Sequence, residues 1–307
     1  MKAIPTLARW RSLLAVALLA AGAGCSGSSA TAAGDGRPSA VAAEDVWGSL
    51  LAQLAGARVT VTSIVHNPAV DPHDYDPRPT DAAAVADSRL VVVNGVGYDP
   101  WATRLIGASP KAARRVLDVG KLVGARPGQN PHRWYVPADV HRVVDEMVTD
   151  LKRIDPAGAA FFDARAAALT SDGLKAYDDA VARIRTAYAG TPVAVSESIF
   201  DGMAEALGLV VLTPRSFSNA VAEGNEPTPG DKETVDRQLA HRQVAAFVYN
   251  RQNTTPDVRA LTETAGRAGV PVVAVTETLV PRGAAFQDWQ LRQLLALEAA
   301  FASAGPR

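Results

Sequence analysis

The sequence predicts an α/β protein of two parallel-sheet βα lobes joined by a single long helix, with the binding site in the inter-lobe cleft. Three observations predict it. Short apolar runs alternate with segments of helical period, the alternation restarts in the second half, and a long strand-free stretch of helical spacing separates the halves. Strands buried in parallel sheets read as short continuous apolar runs, because helices cover both faces. Ligands of such sheets bind beyond the carboxyl ends of the strands.

The 307-residue chain is 48% hydrophobic and 21% charged, with a formal net charge of −1. That leaves room for two domains of typical size. The near-zero charge and the lack of a basic block give no support to nucleic acid or an anionic membrane surface as a partner.

Residues 1–25 read as a targeting segment. Lys2, Arg9 and Arg11 precede the apolar run Leu13–Gly24, which ends at Cys25, the only cysteine. Roughly a dozen residues at about 1.5 Å each cannot span a hydrocarbon core of about 30 Å. The pattern resembles a bacterial lipoprotein signal, with Gly22 where a leucine-like residue is preferred. That resemblance implies acylation of Cys25 and contact with the membrane through the lipid anchor only; plain secretion, with Cys25 removed, is the alternative. A single cysteine excludes an intrachain disulfide and a cysteine-based zinc site.

Residues 26–38, rich in Ser, Gly and Ala, read as a flexible tether. The first lobe, 39–155, opens on VAAEDVWGSLLAQLAG, a helical-period segment stopped by Gly56. RVTVTSIV (58–65), RLVVVNG (89–95) and RVLDV (115–119) read as strands. TDAAAVADS (80–88), WATRLIG and VHRVVDEMVTDLKRI read as helices. In 156–190, Leu174, Tyr177, Val181, Ile184 and Tyr188 keep helical spacing up to Gly190, predicting one linking helix, or nearly one. The second lobe, 191–307, has strands at 191–196, 209–213, 244–250 and 270–276, and helices at 199–207, 230–241, 255–268 and 285–303.

Two segments carry chemistry. DPHDYDP (71–77) and NPHRWYVP (130–137) share one form, Asx-Pro-His-x-aromatic with a proline shortly after, in a chain of five histidines. The proline restricts the backbone on either side of it, so the imidazole arrives pre-aimed, and the Asx side chain can set the turn. Imidazoles presented rigidly from two loops suit metal coordination. An EF-hand reading of the acidic loop fails, because Arg78 falls at an oxygen-ligand position counted from Asp74. NGVGYDPW (94–101) approaches a dinucleotide fingerprint but carries Pro100 where the third glycine belongs. His66, near the first loop, is a candidate to support a ligand, and His141 and His241 read as solvated.

These segments, with VWGSLLAQLAGARVTVTSIV, VSESIFDGMAEALGL, VTETL and FQDWQ, resemble the zinc/manganese ABC-importer solute-binding lipoproteins. The resemblance spans about residues 45–290. It implies metal ligands at His73, His132, Glu197 and Glu277, with Glu277 standing where the family usually has Asp and Val136 where the second loop often carries a polar residue. The His-rich acidic loop of many zinc-specific relatives is missing. Implied partners are a cognate ABC permease and the metal ion itself, with the protein exported, monomeric and not an enzyme. Two imidazoles and two carboxylates favour Mn²⁺ slightly, with Zn²⁺ close behind and Fe²⁺ third, although raw affinity runs from Mn²⁺ up to Zn²⁺. A secreted metalloenzyme using His73, His132 and a carboxylate, a metal-stabilised adhesin, and a helix-linked siderophore or vitamin receptor are the alternatives.

Overall fold

The computed structural model describes residues 36–69 and 75–304. Cys25, His73 and the residues around each therefore lie outside the described part. From Arg37 onward the chain forms one compact unit.

The first sheet comprises β1 (Ser39–Glu44), β2 (Thr60–Val65), β3 (Leu90–Val93) and β4 (Arg115–Asp118) in the order β2-β1-β3-β4, all parallel. Helices α1 (Asp45–Ala55), α2 (Pro79–Asp87), α3 (Pro100–Ala108), α4 (Val119–Val123) and α5 (Pro137–Ile154) connect and follow these strands. β1 corrects the sequence reading, which takes VAAE as the start of a helix. Ala40 to Ala43 are buried, and the strand pairs with β2 on one edge and β3 on the other. Ladder bonds on both edges and burial on both faces outweigh the helix propensity of alanine, so the helix starts only at Asp45.

The link between the sheets is helical from α6 (Ala159–Ala168) through a π turn (Leu169–Gly173) to α7 (Lys175–Tyr188). It is thus nearly one helix, as the spacing predicts, interrupted by the π turn. In the π turn Leu174 N donates to Leu169 O at 2.7 Å, and the extra residue lets both buried leucines face the core. Gly173 permits this, because a Cβ there would stand 2.9 Å from Leu169 Cδ1.

The second sheet comprises β5 (Pro192–Val195), β6 (Val210–Val211), β7 (Ala246–Asn250) and β8 (Val272–Val275) in the order β6-β5-β7-β8, again parallel. Around it lie α8 (Asp201–Leu207), α9 (Arg215–Ala222), α10 (Pro229–Ala240), α11 (Pro256–Ala268) and α12 (Phe286–Ala304). α4 and α9 are absent from the sequence reading. Each is short, and α9 is built on RSFSNAVA, whose Ser and Asn are weak helix formers. Burial of Phe217 and Val221 holds it in place.

One apolar core takes side chains from both sheets and from the linking helix. Trp47, Trp134, Tyr135, Tyr177, Phe286 and Trp289 all belong to it and are nearly inaccessible. Aromatic side chains bury roughly 150–250 Å² each, so pulling the lobes apart would expose a large apolar area. The cleft is thus set in a stiff frame.

Candidate functional site

His132 is held by the residue that opens its own motif. Asn130 Oδ1 accepts from the His132 backbone N–H at 3.0 Å and lies 2.9 Å from His132 Nδ1, while Asn130 Nδ2 donates to Ser198 O at 2.5 Å. With the amide oxygen so oriented, Nδ1 carries the ring proton and Nε2 presents its lone pair. Trp134 anchors the loop, packing edge-on against Trp47, Tyr98 and the His132 ring. The bond to Ser198 also ties this loop to the residue after Glu197 in the second lobe.

Glu277 follows β8. Its backbone N–H donates to Gln252 Oε1 at 2.7 Å, as Thr278 N does at 3.0 Å. Its carboxylate accepts from Tyr98 OH at 2.6 Å on Oε2 and from Asn250 Nδ2 at 2.7 Å on Oε1. His132 Nε2 stands 3.9 Å from the same Oε2. Glu197 follows β5 in an extended conformation and leads into the 3₁₀ turn Ser198–Phe200. Burial and the nearby charges of Glu277 and Glu197 push the Tyr135 hydroxyl well above its usual range, so both carboxylates act on one neighbourhood. His132, Glu197 and Glu277 are 2%, 1% and 3% exposed, a burial that charged groups rarely reach without partners.

Among the described residues, no group of three or more His, Cys, Asp or Glu side chains is close enough to hold a metal. His73, Asp71 and Asp74 lie outside those residues. The visible remainder of the first motif is anchored much as the second is. Tyr75 packs edge-on against Trp101 and donates to Asp81 Oδ2 at 2.6 Å, and that oxygen also accepts from Arg78 N at 2.8 Å. Asp81 thus sets the turn, while Asp76 is exposed.

Four supporting residues escaped the sequence reading, namely Tyr98, Asn250, Gln252 and the amide of Asn130 as an inter-lobe bridge. Tyr98 had a signal, the glycine pair of NGVGY. Gly95, Val96 and Gly97 all adopt positive φ, of 71°, 56° and 86°. This is easy for glycine and strained for a β-branched valine. A Cβ on Gly95 would also stand 2.4 Å from Asp118 Oδ1. The loop is shaped to deliver Tyr98 rather than to cradle a dinucleotide.

A cleft of about 690 Å³ reaches the His132 side of the site, lined in part by Asn130, Ser198, Asp201, Glu205 and Arg215. Burial pushes the Asp201 carboxyl up to about 6, against the opposing charge of Arg215. His66 turns Nδ1 to Ser63 O at 2.9 Å and lines a separate cavity beside Asp45. His141 is not simply solvated, since its Nε2 lies 3.0 Å from Asp178 Oδ1 and joins α5 to α7. His241 is exposed.

Several known proteins resemble this chain. The manganese-binding lipoprotein MntA of Halalkalibacterium halodurans is 33% identical over 165 residues, covering 52% of this chain and 54% of MntA. The chain thus aligns with about half the length of that relative. The manganese ABC transporter substrate-binding lipoprotein PsaA of Streptococcus pneumoniae is 23% identical over 290 residues, covering 88% of this chain and 90% of PsaA. Among solved structures, the Pseudomonas aeruginosa solute-binding protein FpvC in complex with Mn²⁺ superposes with a TM-score of 0.72 at 23% identity, over 88% of this chain and all of that one. A Mn-bound periplasmic metal binding protein of Candidatus Liberibacter asiaticus superposes with a TM-score of 0.71 at 16% identity, over 86% of this chain and all of that one. At such identities the two structures speak for the fold. The family model "Zinc-uptake complex component A periplasmic" matches residues 40–300, and the chain belongs to that family, ZnuA.

Proposed function

We propose that this protein is the extracytoplasmic solute-binding component of an ABC importer, capturing a divalent transition metal ion and delivering it to a membrane permease. The observation that carries the proposal is the pair His132 and Glu277. They come from different lobes, meet at 3.9 Å, and are held from behind by Asn130 on one side and by Tyr98 and Asn250 on the other. A neutral imidazole and a carboxylate, oriented and buried, form a ready ligand pair for such an ion.

The proposed ligand set is His73, His132, Glu197 and Glu277. Two neutral imidazoles and two carboxylates would balance a divalent ion in a dry cleft, leaving no net charge buried. Ligands must be deprotonated, so affinity falls as pH drops through the histidine range. The continuous core allows only small rearrangements of the lobes on capture. Nothing in capture and release breaks a covalent bond, and the family is one of uptake components. Mn²⁺ is the favoured cargo, followed by Zn²⁺ and Fe²⁺, because half the set is carboxylate.

Residues 1–25 serve as the export signal, Cys25 as the acylated anchor point and 26–38 as the tether. Residues 39–155 and 191–307 form the two lobes around the 156–190 linker, in a monomer. No helix among the described residues is long and apolar enough to cross a membrane. Deleting the gene in its native bacterium and measuring cellular Mn, Zn and Fe under chelation tests the function. The expected result is loss of one metal, restored by wild type but not by His132→Ala. Unchanged metal content would contradict it.

A further inference from the structure

Glu44 closes the central strand of the first sheet and is 1% exposed. Neither of its carboxyl oxygens accepts a hydrogen bond from an amide, hydroxyl or ring N–H. The polar side chain that faces it is another acid, Asp99, also 1% exposed, while its own backbone N–H lies near without a formed bond. Two carboxyl groups can hydrogen-bond only with a proton between them, and two adjacent buried anions repel strongly. Asp99 accepts from Asn94 N at 2.6 Å and from Gly95 N at 2.8 Å, on different oxygens. Those amides favour the anion on Asp99, so the proton resides on Glu44. The charged groups facing Glu44 are Asp99 and Asp45, and neither is a cation. Burial and these two neighbours push the Glu44 carboxyl well above its usual range, while Asp99 rises only to about 6.

The Asp99 carboxylate pins the start of the NGVGY turn, whose Tyr98 donates to Glu277. Asn94, held by the same carboxylate, donates through Nδ2 to Pro131 O at 2.8 Å, immediately before His132. Its Oδ1 accepts from Trp47 Nε1 at 3.1 Å. Glu44 thus sits beneath both first-lobe contacts of the His132–Glu277 pair.

Resting on the functional reading above, we propose that Glu44 is a positioning residue that works in its protonated form, sharing its proton with Asp99 to set the Tyr98 and His132 loops. Metal binding then acquires a second proton linkage, of opposite sign to that of the histidines. Losing the Glu44 proton as pH rises opposes two buried anions and loosens the site.

The sign of the stability effect is distinctive. An unfolded Glu titrates near about 4.3. Above that pH the folded chain holds a proton that the unfolded chain has released, so stability falls as pH rises toward the Glu44 pKa. Glu44→Gln cannot titrate, yet its amide NH₂ can donate to Asp99 as the acid does.

The test measures thermal midpoints of the metal-free protein from pH 4 to pH 8, and Zn²⁺ and Mn²⁺ affinities by chelator competition at pH 7 and pH 9. Glu44→Gln is expected to match wild type near pH 4 and to exceed it by a margin that widens toward pH 8. It is expected to bind metal within about threefold of wild type at pH 7 and to lose less affinity at pH 9. Glu44→Ala, which leaves Asp99 without its donor, is expected to bind roughly tenfold more weakly. A Gln midpoint below wild type at pH 8, or a difference flat in pH, overturns the shared proton, whether or not the Ala variant folds. A folded Ala variant with wild-type affinity overturns the positioning role. Failure of wild type to bind either metal overturns the functional reading, and the positioning role with it, while the metal-free midpoints still judge the proton.

Discussion

Tyr98 in the first lobe donates a 2.6 Å hydrogen bond to Glu277 Oε2 in the second, and that oxygen is the one His132 Nε2 approaches. One hydroxyl therefore orients a proposed ligand and latches the two lobes at the binding cleft. Tyr98→Phe removes the donor and keeps the ring that packs on Trp134. Partners behind metal ligands are worth about 10–100-fold in affinity. We predict a loss of about tenfold for Mn²⁺ and Zn²⁺, read by competition with a fluorescent chelator. Unchanged affinity would remove Tyr98 from the account.

Asn130 is predicted to matter twice. Its Oδ1 serves His132 and its Nδ2 reaches Ser198 O across the cleft. Asn130→Ala leaves the His132 backbone N–H without a partner, a cost of about 1–3 kcal/mol where water cannot reach. It also removes the inter-lobe bond to Ser198 O, which keeps only its bond from Asp201 N. We expect a lower denaturation midpoint, weaker metal binding, and an NMR-observed His132 ring that no longer favours the Nδ1–H tautomer.

Gly48 lets α1 lie against β2. A Cβ there would stand 2.0 Å from Ser63 Oγ and 3.1 Å from Ser63 Cβ. Gly48→Ala is predicted to destabilise by about 1–3 kcal/mol, the usual range for overpacking. Adding Ser63→Ala is predicted to recover part of that loss, because the nearest atom is gone. A double-mutant cycle by urea unfolding measures the coupling, and strict additivity would contradict the close approach.

Arg58 joins the segment before β2 to the start of the linking region through a two-pronged contact with Asp155, at 2.6 and 3.0 Å. The Arg58 hydrogen bonds hold the Asp155 carboxyl below its usual range. A depressed carboxylate contributes stability above its unfolded pKa of about 3.9, and the contribution fades as pH falls through the folded value. Arg58→Met is predicted to lower the thermal midpoint at pH 7, with the deficit shrinking as pH falls below about 4. A deficit constant in pH would mean that packing, and not the ion pair, is what was lost.

The alternation of strands and helices is legible in sequence because parallel strands buried on both faces must be short apolar runs, as VVV at 91–93 and AFVY at 246–249 show. β1 is illegible for a physical reason, since an alanine-rich strand owes its state to two neighbouring strands and not to its own residues. The π turn is missed because the helical spacing is read only from Leu174 onward. Leu169, five residues earlier, would stand about 140° away on an α-helix and shares the core face only through the extra residue. At the site, His132 stands out as a rare residue in a repeated motif. Tyr98, Asn250 and Gln252 are ordinary polar residues whose roles arise only when loops from distant strands meet. Glu44 is the extreme case, a carboxylate that local sequence would place in solvent and that the fold buries beside a second acid.

One divalent transition metal ion is predicted to bind where His132 and Glu277 meet. The most direct measurement is metal content and thermal midpoint of the soluble chain with and without Mn²⁺ or Zn²⁺, for wild type, His73→Ala and His132→Ala. Wild type is predicted to take up one equivalent and, at metal 100-fold above its dissociation constant, to gain about 2.7 kcal/mol, while each variant loses most of that gain. No shift in wild type, or a full shift in His132→Ala, would contradict the account.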